Sequence, residues 1–279
     1  MKNILKIMLM MITIYTITGS AVYAAEIPVS DQDQLITSRD WTEISNLQDE
    51  MKKEEPDATI DYDKALKVYV DCNLIKLQTA DTKKLTSALE SANYVWVIPF
   101  KMEKTYGMFT VAKGLPLSEE AKSVLTKAEQ EEVKNHAGKW MITETAEHTV
   151  EPYYDILLEK REALSDCTRV VLVGSQPGMR QPVALGMDDE TARIWISLGY
   201  QYPVMEKIPE TQNVESGVYS FDSVAEISDT YIEDSEVSTG VGVQSRSSMK
   251  YVAGIGIVLI GGILILSVLK KKKIRIKFF

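Results

Sequence analysis

The sequence predicts an α+β domain, a mainly antiparallel sheet with helices packed on one side of it, followed by one C-terminal transmembrane helix. Three observations carry this expectation. Two pairs of β-rich segments joined by polar turns are interleaved with segments of helical period, the pattern of an α+β fold. Those hairpins break the regular strand–helix alternation that a doubly wound parallel sheet requires. Tyr251 to Leu269 forms a run of 19 residues without a charged side chain. As a helix it is about 28 Å long, close to the hydrocarbon thickness of a bilayer.

From the N-terminus, Lys2 and Lys6 precede the almost wholly apolar Ile7 to Ile17, and Val22-Tyr23-Ala24 supplies a small residue at a cleavage position with a valine two before it. This reads as a secretory signal over 1–24, cut after Ala24. A helix is expected over 38–53, where Trp41, Ile44, Leu47 and Met51 recur at helical spacing behind a capping-box-like Thr37 and Asp40. Lys67 to Cys72 alternates around Val68 and Val70 as a strand, and Asp81-Thr82 opens a short helix carrying Leu85 and Leu89. The first hairpin pairs Tyr94 to Phe100 with Met108 to Ala112.

Ser118 caps a long helix running to about His136, with Gly138 just beyond. Trp140 to Thr145 reads as a strand, and Pro152 suits the first turn of a helix to Leu164. The unbroken apolar run Val170 to Val173 predicts a buried central strand. Val183 to Met187 and Ala192 to Leu198 flank Asp188-Asp189-Glu190 as a second hairpin.

Composition sets the outer boundaries. From 209 to 250 the chain turns Ser-rich and acidic, which predicts a solvated stalk beyond a domain over 25–208. Residues 251–269 form the expected span. The basic tail over 270–279 places the C-terminus in the cytoplasm and the domain outside, as a single-pass protein of the cell membrane. Residues 25–250 hold 23 basic and all 40 acidic residues, a poor surface for nucleic acid. The expected partners are the lipid bilayer, through 251–269, and another membrane or surface protein.

Few residues point to chemistry. Cys72 and Cys167 are candidates for a disulfide, whose ~95-residue loop would contribute at most about 4.7 kcal/mol; two separately buried thiols are the alternative. His136 and His148 are the only imidazoles, and no HExxH, CxxC or GxSxG pattern accompanies them. The sequence therefore predicts neither a metal site, nor a cofactor, nor Ser-His-Asp catalysis. Asp31-x-Asp33 and Asp57-x-x-x-Asp61-x-Asp63 carry oxygen ligands but lack the glycine and final glutamate of an EF-hand. The loop from Gly174 to Pro182 leads into a strand and lacks a GK[ST] ending, leaving Arg180 as its candidate contact. The function this implies is a membrane-anchored surface protein with a non-catalytic binding ectodomain. The alternative is a tethered hydrolase working through two carboxylates.

Overall fold

The computed structural model describes residues 27–228 apart from 149, 175, 177, 178, 180 and 201. Its strands are β1 (Thr59–Ile60), β2 (Leu66–Tyr69), β3 (Tyr94–Lys101), β4 (Tyr106–Lys113) and β5 (Trp140–His148), then β6 (Arg169–Val173), β7 (Val183–Met187), β8 (Ala192–Ser197), β9 (Asn213–Glu215) and β10 (Val218–Ser220). They form one sheet in the order β5-β4-β3-β2-β6-β7-β8-β10-β9, with β1 also paired to β3. The helices are α1 (Trp41–Ser45), α2 (Gln48–Glu54), α3 (Thr82–Ser91), α4 (Glu119–Val124), α5 (Lys127–His136) and α6 (Tyr153–Glu159). A further helix, α7, occupies 221–228.

The two expected hairpins are present, β3 with β4 and β7 with β8, both antiparallel. Period-two alternation sorts their side chains onto two faces. Trp96, Ile98, Phe100, Phe109 and Val111 pack on one face with Ile44 of α1 and Met51 of α2. Further along that face, Val171, Leu185 and Trp195 meet Leu85 and Leu89 of α3 and Phe221 and Val224 of α7. Val68, Val97, Leu172 and Ile196 project the other way, onto Tyr153 and Leu157 of α6. Each fully buried leucine of this kind contributes about 1.5–3 kcal/mol relative to exposure. Gly107 lies opposite Phe100 in the register, and the Phe100 ring occupies the space a Cβ there would need.

The expected fold class is corrected in two respects. The sheet is mixed, because β2 and β6 pair in parallel at Val68↔Leu172 and Tyr69↔Val173. Helices also cover both faces, where packing on one side was expected. Below the β2–β6 pairing the two strands part, and residues 29–34 fill the gap. Val29 bridges Val170 in parallel and Gln34 bridges Leu66 in antiparallel fashion.

Boundaries shift as well. The helix expected over 118–136 is two helices, because Thr126 and Glu129 form a capping box that restarts it. The fold continues beyond Ile208 into the stretch read as a stalk: β10 pairs with β8, and Val218, Phe221 and Val224 are buried.

The membrane-anchored reading is likewise corrected. Among the described residues, no helix is long and apolar enough to cross a membrane. The structure thus gives no support to a transmembrane helix in the fold, to the bilayer as a partner, to a single-pass location, or to an anchored form of either functional reading. The expected span 251–269, the tail 270–279 and the cleavage site after Ala24 lie outside the described residues.

Candidate functional site

The two apolar clusters that share one face of the sheet meet at β2, and the seam between them is polar. Lys67 and Tyr69 of β2 stand directly opposite Trp96 and Tyr94 of β3. Lys67 Nζ lies 4.7 Å from the centroid of the Tyr94 ring, 5.3 Å from that of Trp96 and 5.7 Å from that of Tyr69. A lysine so enclosed, 9% exposed, needs a counter-charge.

Asp33 provides it. The segment that fills the β2–β6 gap carries this carboxylate, only 2% exposed, between a cation of β2 and one of β6. Arg169 Nη2 donates to Asp33 Oδ2 at 2.9 Å, the Tyr69 hydroxyl donates to Oδ1 at 2.9 Å, and Ser30 Oγ donates to Oδ2 at 2.6 Å. Lys67 Nζ sits 3.4 Å from Oδ1. Burial by itself would raise the Asp33 pKa. The Ser30 hydroxyl, Arg169 and Lys67 outweigh it and hold the carboxyl below its ordinary value. Burial lowers Lys67 from the ordinary lysine value against the pull of Asp33. Arg169 Nε is buried and has no hydrogen-bond partner among the described residues, so one carboxylate serves two cations incompletely.

Asp40 approaches the same seam from the N-terminus of α1. Its carboxylate does not cap that helix. Oδ2 instead accepts from the Tyr94 hydroxyl at 2.8 Å and from Trp96 Nε1 at 3.1 Å. The capping-box expectation for Thr37 and Asp40 is therefore wrong: Thr37 Oγ1 donates to the Asp31 carbonyl, and the rings of β3 take up Asp40.

Above these groups, between α3 and the 31–40 segment, lies a pocket of about 420 Å³. Lys67, Tyr69 and Tyr94 form its floor, with Leu89 and Ala92 on one wall. The exposed Asp31, Arg39 and Glu90 stand at its rim. A second hollow of about 250 Å³ between Ile75 and Phe221 has only exposed charges, Asp222 and Glu226, among its lining residues.

The residues singled out from the sequence fall elsewhere, with one exception. Cys72 and Cys167 are free thiols, which corrects the disulfide expectation. Cys72 packs against the cluster that includes Leu185 and Trp195, whereas Cys167 belongs to the cluster on the opposite face. Arg180 lies outside the described residues. No group of three or more His, Cys, Asp or Glu residues suited to a metal occurs among the described residues. The exception is the Asp31-x-Asp33 pair: Asp31 lines the pocket, and Asp33 lies behind it between two cations.

Lys67 was legible only as a polar position in a strand. The signal that would have marked it is its place opposite an aromatic pair, which requires the β2–β3 register. Comparison with protein-family models, with curated proteins and with solved structures finds no match for the chain.

Proposed function

We propose that this domain is a binding module that takes a small polar ligand into the pocket between α3 and the 31–40 segment. One observation carries the reading: a buried lysine forms the floor of an open cavity, and the only carboxylate in an ion pair with it, among the described residues, is shared with Arg169. Lys67 has three donor hydrogens, and Asp33 does not occupy them all. Concave sites with aromatic walls and a few placed polar groups are the usual form of small-molecule sites, and this volume lies within their range.

Binding fits the geometry better than turnover by a carboxylate pair. A general acid needs a carboxyl whose pKa is raised, and Asp33 is shifted the opposite way. Its oxygens are also engaged by Ser30, Tyr69 and Arg169.

The test is a thermal-shift screen of small polar molecules against the folded chain and against Ala92→Phe, which adds a ring at the pocket wall. A ligand present at 100 times its Kd raises unfolding free energy by about 2.7 kcal/mol. Compounds that stabilise the wild type should lose that effect in Ala92→Phe. Equal stabilisation of both proteins would place binding elsewhere, and a screen with no stabilising compound would end the reading.

A further inference from the structure

We propose that the occupant of this pocket is a small zwitterion of the α-amino acid class, its carboxylate on Lys67 and its ammonium against the rim acids Asp31 and Glu90. The inference rests on the pocket reading and adds the chemistry of the ligand.

The charges in the pocket are ordered by depth. At the floor is one buried ammonium, with the Arg169 guanidinium behind it on the far side of Asp33. At the mouth are two exposed carboxylates, from Asp31 and Glu90. The rim guanidinium of Arg39 lies 3.9 Å from Asp40, so those two charges offset one another. A simple amine entering this pocket meets a buried cation at the point of deepest contact. A doubly charged inorganic anion meets the acidic rim before it reaches the lysine. A molecule with its negative end inward and its positive end outward satisfies both ends.

The walls limit what lies between those ends. The Tyr69 and Tyr94 rings, with centroids 6.2 Å apart, and the buried Leu89 offer apolar surface beside the lysine. A side chain of moderate size attached near the carboxylate would pack there, and a volume of about 420 Å³ is larger than a bare inorganic ion needs. The bond from Tyr94 to Asp40 and that from Tyr69 to Asp33 fix these rings before any ligand arrives, so little ordering remains to oppose binding.

The experiment is calorimetric titration of the folded chain with the free L-amino acids, with the N-acetyl and carboxamide derivative of each, and with inorganic phosphate. Tryptophan fluorescence, to which Trp96 beside Lys67 contributes, serves as a second readout. At least one free amino acid should bind, and blocking either its amine or its carboxylate should weaken binding ten-fold or more. Lys67→Met should abolish that binding. Glu90→Lys, at an exposed position that does not threaten the fold, should weaken the amino acid several-fold and improve phosphate. If blocked derivatives or phosphate bind as tightly as the free amino acid, and Ala92→Phe still excludes them, the ligand class is wrong while the pocket reading stands. Absence of binding by every free amino acid also overturns the class. Binding that survives Ala92→Phe overturns both.

Discussion

Arg169 Nη2 lies 2.9 Å from Asp33 Oδ2, joining a residue of the segment that fills the central gap to a residue of β6 that is 136 positions away in the chain. Lys67 of β2 approaches the other oxygen of the same carboxylate. Asp33 is thus where three separate pieces of chain meet on that face of the sheet, one carboxylate set between two cations.

Removing that carboxylate should be severe. Asp33→Ala leaves the buried Lys67 and the half-buried Arg169 with no carboxylate between them, and breaking a buried ion pair on one side costs about 3–5 kcal/mol. Urea unfolding monitored by tryptophan fluorescence measures this directly. A loss below about 1 kcal/mol would show that the network contributes little, as exposed ion pairs usually do.

The same group sets a pH dependence whose sign follows from its shift. Asp33 has a folded-state pKa below its ordinary value, so the unfolded chain binds its proton more readily. Its contribution is complete above the unfolded carboxylate pKa of about 3.9 and is lost as pH falls through the lower folded value. The difference in unfolding free energy between wild type and Asp33→Asn should therefore be constant from neutral pH down to about pH 4 and shrink below it. A difference that grew on acidification would contradict the assignment.

The C-terminal part of the fold can be tested by shortening it. Phe221 stacks on Trp195 with ring centroids 5.7 Å apart and planes 14° from parallel, and Val218 and Val224 are fully buried nearby. Phe221→Ala should cost about 3–5 kcal/mol, as truncating a buried phenylalanine generally does. A chain ending at Ile208 should lose its cooperative transition, whereas one ending at residue 228 should retain it. Equal stability of the two would return 209–228 to the status of a linker.

The two thiols, Cys72 half-buried and Cys167 buried, should behave independently. Burial pushes both Cys72 and Cys167 up to about 11, so little thiolate is present at neutral pH. Alkylation of the native protein should be slow at both positions and become fast for both in denaturant. Non-reducing peptide mapping should give no cross-link, and a Cys72–Cys167 linked peptide would refute the placement on opposite faces.

What the sequence made legible was local. The hairpins β3–β4 and β7–β8 followed from alternation and turn chemistry within a few residues of each other. The parallel contact between Tyr69 and Val173 did not, since nothing in either segment specifies a neighbour about a hundred residues away. Average composition misled over 209–228, where many Ser and acidic residues surround a sparse but sufficient set of apolar positions, Val218, Phe221 and Val224. The pocket was hidden for a related reason. Lys67 reads as the solvent-facing position of an alternating strand until Asp33 and the β3 rings are brought over it. Asp31 and Asp33 were noticed as oxygen donors, but their partners come from other strands.

The segment over 29–34, a short 3-10 turn held by a single bridge at each end, bears on the order of assembly. Its two sides are Val170 and Leu66, so its docking site is complete only once β2 and β6 have come together. During synthesis the Gln34 end can pair with Leu66 early, whereas the Val29 end has no partner until Val170 of β6 has emerged. Contacts of such long sequence separation slow folding, because the chain loses loop entropy before the contact rewards it. The N-terminal segment therefore acts as a closing clasp, and its arrival brings the Asp33 charge to Lys67 and Arg169 in the same step.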